Sequence, residues 1–94
     1  MREHRQTVTI VNQRGLHARA SAKFVGAVAA IEDDVRVAVA KDGNKAAGGS
    51  ILGLMMLGAA KGDTVEVVVQ GESDAAQGVL DRLVGLIADG FGED

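Results

Sequence analysis

Val35, Val37 and Val39, and again Val65, Val67 and Val69, place valine at every second position, and Val8 and Ile10 repeat the pattern near the start of the chain. Apolarity of period two marks a strand with one buried face and one wet face. It selects an antiparallel sheet covered on a single side over a parallel sheet buried on both. Strands are therefore expected over residues 7–11, 35–40, 45–47 and 64–70. The second and third are joined at Lys41-Asp42-Gly43-Asn44, whose Asp-Gly pair suits a tight hairpin. Three segments carry helical spacing instead. Ala20, Phe24, Ala27, Val28 and Ile31 form one stripe of a helix over residues 18–31 that stops before Glu32-Asp33-Asp34. Ser50 can cap a short apolar helix over residues 51–57, closed by Gly58. Ala76, Val79, Leu80, Leu83 and Ile87 line a last helix, opened by Ser73-Asp74 with Asp74 and Gln77 at capping-box spacing and ended by Gly90. The order β-α-β-β-α-β-α describes an α+β open-faced sandwich, a four-stranded antiparallel sheet with three helices on one face, forming one domain over residues 1–94.

The 94 residues suffice for one modest core and leave the work to the surface. There is no cysteine, so disulfides, thiolate metal sites and thiol nucleophiles are excluded, and a reducing compartment, by default the cytoplasm, is expected. The polar start of the chain and the absence of an apolar run near 18 residues argue against a signal peptide and a membrane span. With a net charge of −3 and only Phe24 and Phe91 as aromatics, the chain lacks the basic groove and stacking platform of a nucleic-acid binder. The charge is uneven. No Asp or Glu falls between His4 and Ile31, where Arg5, Arg14, Arg19 and Lys23 contribute +4, so the remainder carries −7. A cationic patch on an acidic chain reads as a local anion site.

His17 stands at the start of the first helix, at the N-cap or beside it, where Ser, Thr, Asp or Asn would be the stabilising choice. A lone histidine at a turn is ordinarily a solvated side chain. Here its neighbours break two further local rules. Arg19 and Lys23, spaced i and i+4, put like charges together at the positive end of a helix dipole, at a cost of about 0.3–0.5 kcal/mol for each violation. An anion at the helix start reverses the sign of all three features, because the backbone N–H groups of Ala18 and Arg19, the Arg19 guanidinium and the dipole all favour it. A neutral imidazole is a competent nucleophile near neutral pH, and phosphoryl transfer needs mainly in-line positioning and positive charge on the equatorial oxygens. The sequence has no Walker-type loop, no clustered carboxylates for magnesium and no acid near His17 to position a hydrolytic water. Such a site receives and releases a phosphoryl group without activating one from nucleotide, and no cofactor or metal is expected. His4 is assigned to a disordered N-terminus and given no role.

Ser50-Ile51-Leu52-Gly53-Leu54-Met55-Met56-Leu57 is apolar on nearly every side of a two-turn helix. Leu54, Leu57 and Met56 are expected to fill the core. Ile51, Leu52 and Met55 then remain outside as a docking patch with an adaptable methionine. Phosphorylation of Ser50 would set a dianion on that patch and weaken docking.

Arg14-Gly15-Leu16-His17-Ala18-Arg19, followed by Ala22-Lys23-Phe24 and then by Ser50-Ile51-Leu52-Gly53-Leu54-Met55-Met56-Leu57-Gly58, closely resembles the HPr family of the phosphoenolpyruvate-dependent phosphotransferase system. The resemblance covers nearly the whole chain. It implies a four-stranded antiparallel sheet with three helices, and a phosphocarrier that takes a phosphoryl group from phospho-enzyme I on His17, on the ring nitrogen nearer the backbone. The group then passes to EIIA-type domains, with Arg19 assisting. It further implies that Ser50 is a regulatory site for an HPr kinase/phosphorylase, and that Ile51, Leu52 and Met55 dock partners. Ala20 and Lys23 are placed on the same docking surface, and a monomer is expected, since shared docking surfaces are not usefully buried. Two positions depart from the family pattern: Ala20 stands where many members have proline, and Gly49 where lysine often precedes the serine. The competing readings are an interaction module controlled through Ser50, and a small phosphohydrolase using His17 and Arg19.

Overall fold

In the computed structural model, residues 2–32 and 34–93 are described. Four strands, β1 (Glu3–Thr9), β2 (Arg36–Lys41), β3 (Asn44–Ala47) and β4 (Thr64–Gln70), alternate with helices α1 (Ala18–Ala29), α2 (Ile51–Met56) and α3 (Ala75–Ala88) in the expected order. The sheet runs β1-β4-β2-β3, and every neighbouring pair is antiparallel. The period-two valines explain the layering. Val65, Val67 and Val69 lie at most 1 % exposed, and the register sets Val8 opposite Val65 and Val39 opposite Val67, so one sheet face is a continuous apolar floor. Phe24 of α1, Leu54 of α2 and Val79, Leu80, Leu83 and Ile87 of α3 close over it. The opposite face is polar. Arg5 pairs there with Glu3 and with Glu66, and Gln70 Nε2 donates to Glu3 Oε2 at 2.6 Å. Beneath them Val68 is 2 % exposed, a burial on the wet face that period-two reasoning does not anticipate.

The punctuation is largely as expected. Asp42 and Gly43 both take positive φ, 51° and 84°, as a two-residue hairpin turn of right-handed twist requires. Ser50 Oγ accepts from the Gly53 N–H at 2.9 Å and caps α2, whose end at Gly58 is left-handed with φ 66°. Three elements differ. β1 starts at Glu3, well before the expected strand, because β4 supplies the register for a segment whose own sequence is polar on both faces. His4 is thus not in a disordered terminus; it lies opposite Val69 with Nδ1 3.2 Å from Gln77 Oε1 of α3. At the start of α3 the capping box does not form. Asp74 makes no side-chain cap, and Ser73 Oγ accepts from the Ala75 N–H at 3.0 Å, while Gln77 donates to Asp81 at 2.9 Å. α1 ends at Ala29, earlier than expected; of the acidic segment after it, Asp33 lies outside the described residues.

Two assignments within the helices are corrected by burial. Ala20 is 0 % exposed, its methyl group packed under α1, so it cannot touch a docking partner. Met56 is 77 % exposed and fills no core; Leu54 does so alone among the α2 side chains, with Leu57 partly buried against it.

The loop from β1 to α1 is stitched to the segment before β4. Ile10 donates to Asp63 O at 2.8 Å and accepts from Gly62 at 2.8 Å, and Leu16 donates to Ala59 O at 2.9 Å. Between them Gly15 has φ 62°, and a Cβ there would sit 2.2 Å from Ala59 O and 2.8 Å from Ala60 Cα. Both conformation and space therefore require glycine. Gly15→Ala is expected to lower stability by about 2–4 kcal/mol, from left-handed backbone plus a backbone clash, read as a drop in urea midpoint at unchanged slope. Loss of the α2 cap in Ser50→Ala is expected to cost about 1 kcal/mol in the same assay.

Candidate functional site

The stitched loop delivers His17 to the N-cap of α1 with extended backbone, φ −77° and ψ −179°. Its carbonyl accepts from the Ser21 N–H at 2.9 Å, the first turn of the helix, and its ring does what a capping serine would do: Nδ1 accepts from the Arg19 N–H at 3.2 Å. Ser21 itself is fully buried and donates to Leu16 O at 3.3 Å, locking the first turn to the loop. The other ring nitrogen faces a residue that sequence reasoning did not find. His17 Nε2 is 2.8 Å from Glu93 Oε2, and the two side chains retain 20 % and 19 % of their exposure.

Glu93 arrives there because the chain does not trail away after α3. Gly90–Gly92 form a short turn in which Gly90, Phe91 and Gly92 all have positive φ, 67°, 59° and 72°. Phe91 turns back into the core at 1 % exposure. Lys23 Nζ donates to Phe91 O at 2.7 Å, and the buried Asn12 Nδ2 donates to both Gly15 O at 2.9 Å and Glu93 Oε1 at 3.0 Å. The signal in the sequence was Phe91 itself, a large aromatic beyond the glycine that ends the helix. The expectation that no acid lies near His17 is therefore corrected: the acid is 76 residues away in the chain and beside it in space.

The two ring partners assign the tautomer. A backbone N–H can only donate, so Nδ1 carries a lone pair. A carboxylate can only accept, so the proton is on Nε2. Burial, the largest influence, pushes Glu93 upward, but hydrogen bonds from Asn12 and His17 and the charges of His17 and Lys23 outweigh it and hold the carboxyl below its ordinary value. Around this pair Arg14, His17, Arg19, Lys23, Gly92 and Glu93 line an open depression of about 520 Å3. Three cations thus face one carboxylate. Lys23 is engaged with the Phe91 carbonyl, whereas among the described residues no hydrogen bond or ion pair engages the guanidinium of Arg14 or Arg19. A tetrahedral anion at Nδ1 would meet the helix start and these guanidinium groups together. Arg14 belongs to this lining, a role the sequence reading did not give it.

The other expected site residues gather on α2. Ile51, Leu52 and Met55 are 41 %, 68 % and 40 % exposed, an apolar face beside the Ser50 cap. α1 packs against α2, so this face and the His17 depression belong to adjoining helices. Among the described residues, no helix is long and apolar enough to cross a membrane.

The lowered carboxyl of Glu93 fixes a pH dependence. Docking of the C-terminal turn contributes fully above the ordinary glutamate value of about 4.3 and is lost as pH falls through the lower docked value. NMR contacts between the Phe91 ring and the core are expected to hold at neutral pH and to weaken as the pH falls below the ordinary glutamate value, ahead of the sheet. Contacts that survive until the sheet itself unfolds would contradict this.

Comparison with known proteins gives one consistent family. The family model for the HPr component phosphorylation site of the phosphotransferase system (PTS) matches residues 4–89. Phosphocarrier protein HPr of Pseudomonas putida is 44 % identical over 86 residues, covering 92 % of this chain and 92 % of its own. Phosphocarrier protein NPr of Shewanella violacea is 37 % identical over 86 residues, covering 92 % and 90 %. The crystal structure of HPr-C-His from Thermoanaerobacter tengcongensis superimposes with a TM-score of 0.80 at 36 % identity, covering 100 % of this chain and 99 % of its own. With the capping histidine, the cationic helix start and the open sandwich all inside the matched segment, the chain belongs to the HPr family and is a phosphocarrier of the phosphotransferase system.

Proposed function

We propose that this phosphocarrier takes its phosphoryl group on His17 Nδ1 from phospho-enzyme I and passes it to EIIA-type domains in the cytoplasm. The observation that carries the reading is the Nδ1 lone pair at the start of α1. Its attack on phosphorus forms the N–P bond as the bond to the donor breaks. The Arg19 N–H that had donated to Nδ1 is then released toward the phosphoryl oxygens. Ala18, the first residue of α1, adds a second backbone donor, and Arg19 and Arg14 add charge. The exposed Ile51, Leu52 and Met55 supply the apolar contact for donor and acceptor proteins, with Lys23 on the adjoining helix α1 adding positive charge. Ser50 caps the helix that carries this patch. A phosphate on it, placed by an HPr kinase/phosphorylase, would add charge at the edge of the apolar contact and oppose docking.

Glu93 bears on the competing hydrolase reading. Its oxygens accept from Asn12 and from His17 Nε2, so the carboxylate sits at the ring nitrogen opposite Nδ1 and not where a water would attack a phosphoryl group on Nδ1. The interaction-module reading leaves unexplained why a histidine caps α1 with two guanidinium groups around it.

Incubation with phosphoenolpyruvate and an active enzyme I is expected to give one acid-labile phosphoryl adduct by intact mass, absent in His17→Ala. Arg19→Ala is expected to slow its formation about ten- to a hundredfold, the worth of one charge-assisted contact. No adduct with an active enzyme I would overturn the acceptor assignment.

A further inference from the structure

The C-terminal turn is a built part of the site, although residues 90–93 lie beyond the segment that the family model matches. Phe91 anchors it in the core, Lys23 holds its carbonyl at 2.7 Å, and the 1 % exposed Asn12 holds Glu93 Oε1 at 3.0 Å. What it presents to His17 is a carboxylate oxygen 2.8 Å from Nε2. We infer that Glu93 is a positioning residue for phosphoryl acceptance: Oε2 keeps the ring proton on Nε2, which reserves the Nδ1 lone pair for phosphorus, and it faces the positive charge the ring then acquires. This rests on the reading of His17 as acceptor.

The step balances on these atoms. The Nδ1 lone pair forms the N–P bond, the bond from phosphorus to the donor's leaving atom breaks, and that electron pair departs with the donor. The Nε2 proton stays on the ring, which becomes an Nδ1-phosphorylated imidazolium until the group moves on. Its charge lies against Glu93, the arrangement by which a carboxylate behind an imidazole assists covalent catalysis elsewhere. The helix start and the arginines serve the phosphoryl oxygens on one side of the ring, and Glu93 serves the ring on the other.

A carboxylate is required, because both oxygens must accept. In a side chain with one oxygen and one NH2, the oxygen turns to Asn12 and the NH2 meets Nε2, driving the proton to Nδ1 where the Arg19 N–H already donates. Turned the other way, the NH2 meets the Asn12 NH2. Glu93→Gln keeps shape and removes this pattern. Glu93→Ala removes the contact altogether.

The test uses the full chain in two measurements. In 15N NMR of the imidazole, the unphosphorylated wild type is expected to show the Nε2-protonated tautomer, and Glu93→Gln to gain an Nδ1-protonated population. With phosphoenolpyruvate and enzyme I, the maximal rate of phosphoryl uptake is expected to fall about tenfold in both variants, while KM for enzyme I stays within about twofold. A Glu93→Gln protein with the wild-type imidazole spectrum and the wild-type rate would overturn the inference. If wild-type His17 takes up no phosphoryl group, it is the acceptor reading that fails, and the spectrum alone decides whether Glu93 sets the tautomer.

Discussion

The close approach of Gly15 to the backbone of Ala59 and Ala60 is the constraint on which the site depends. It lets the loop after β1 lie against the segment before β4, and the hydrogen bonds of Ile10 and Leu16 fasten it there. Those bonds tie the site to the sheet, since both flanking segments lead directly into paired strands. Once Leu16 is fixed, His17 has no choice of place. It must begin α1, and its ring must satisfy the N–H that a serine would otherwise have satisfied. A side chain used as a cap has its Nδ1 defined by the backbone, so ring nitrogen and helix dipole are aligned by the same few residues.

The electrostatic design follows from that placement. Arg19 and Lys23 are in the wrong half of α1 for the dipole, and no acid occupies its first turn. The tail relieves part of this frustration, with Lys23 satisfied by a carbonyl and His17 by a carboxylate, while among the described residues the Arg14 and Arg19 guanidinium groups have no partner. The resting site is partly neutralised from one side and open on the other.

What could be read in the sequence was whatever repeats locally. The valines of β2 and β4, the Asp42-Gly43 hairpin, the Ser50 cap and the stripe of α3 each carry their own period or turn chemistry. His17 and Arg19 were legible because each violates a helix rule at a nameable position. The polar Glu3–Gln6 half of β1 was not, since only its pairing with β4 makes it a strand. Met56 and Leu54, two positions apart on one short helix, look equally apolar in sequence; only the rotation of α2 against α1 decides that one is 77 % exposed and the other 0 %. Glu93 was beyond reach for a different reason. Nothing local couples a glutamate near the end of the sequence to a histidine 76 residues earlier until the tail is known to reverse direction.

That reversal is made of three successive left-handed residues, and the middle one is a phenylalanine at φ 59°. A non-glycine residue there costs about 1–3 kcal/mol, while full burial of its ring returns about 1.5–3 kcal/mol. The two are of the same order, so the polar contacts at the edges of the tail reinforce its aromatic anchor. The tail makes no strand pairing of its own, so it can open as a local unit without unpairing the sheet. Such an opening would bare His17 Nε2 to solvent while leaving its Nδ1 contact with the start of α1 in place.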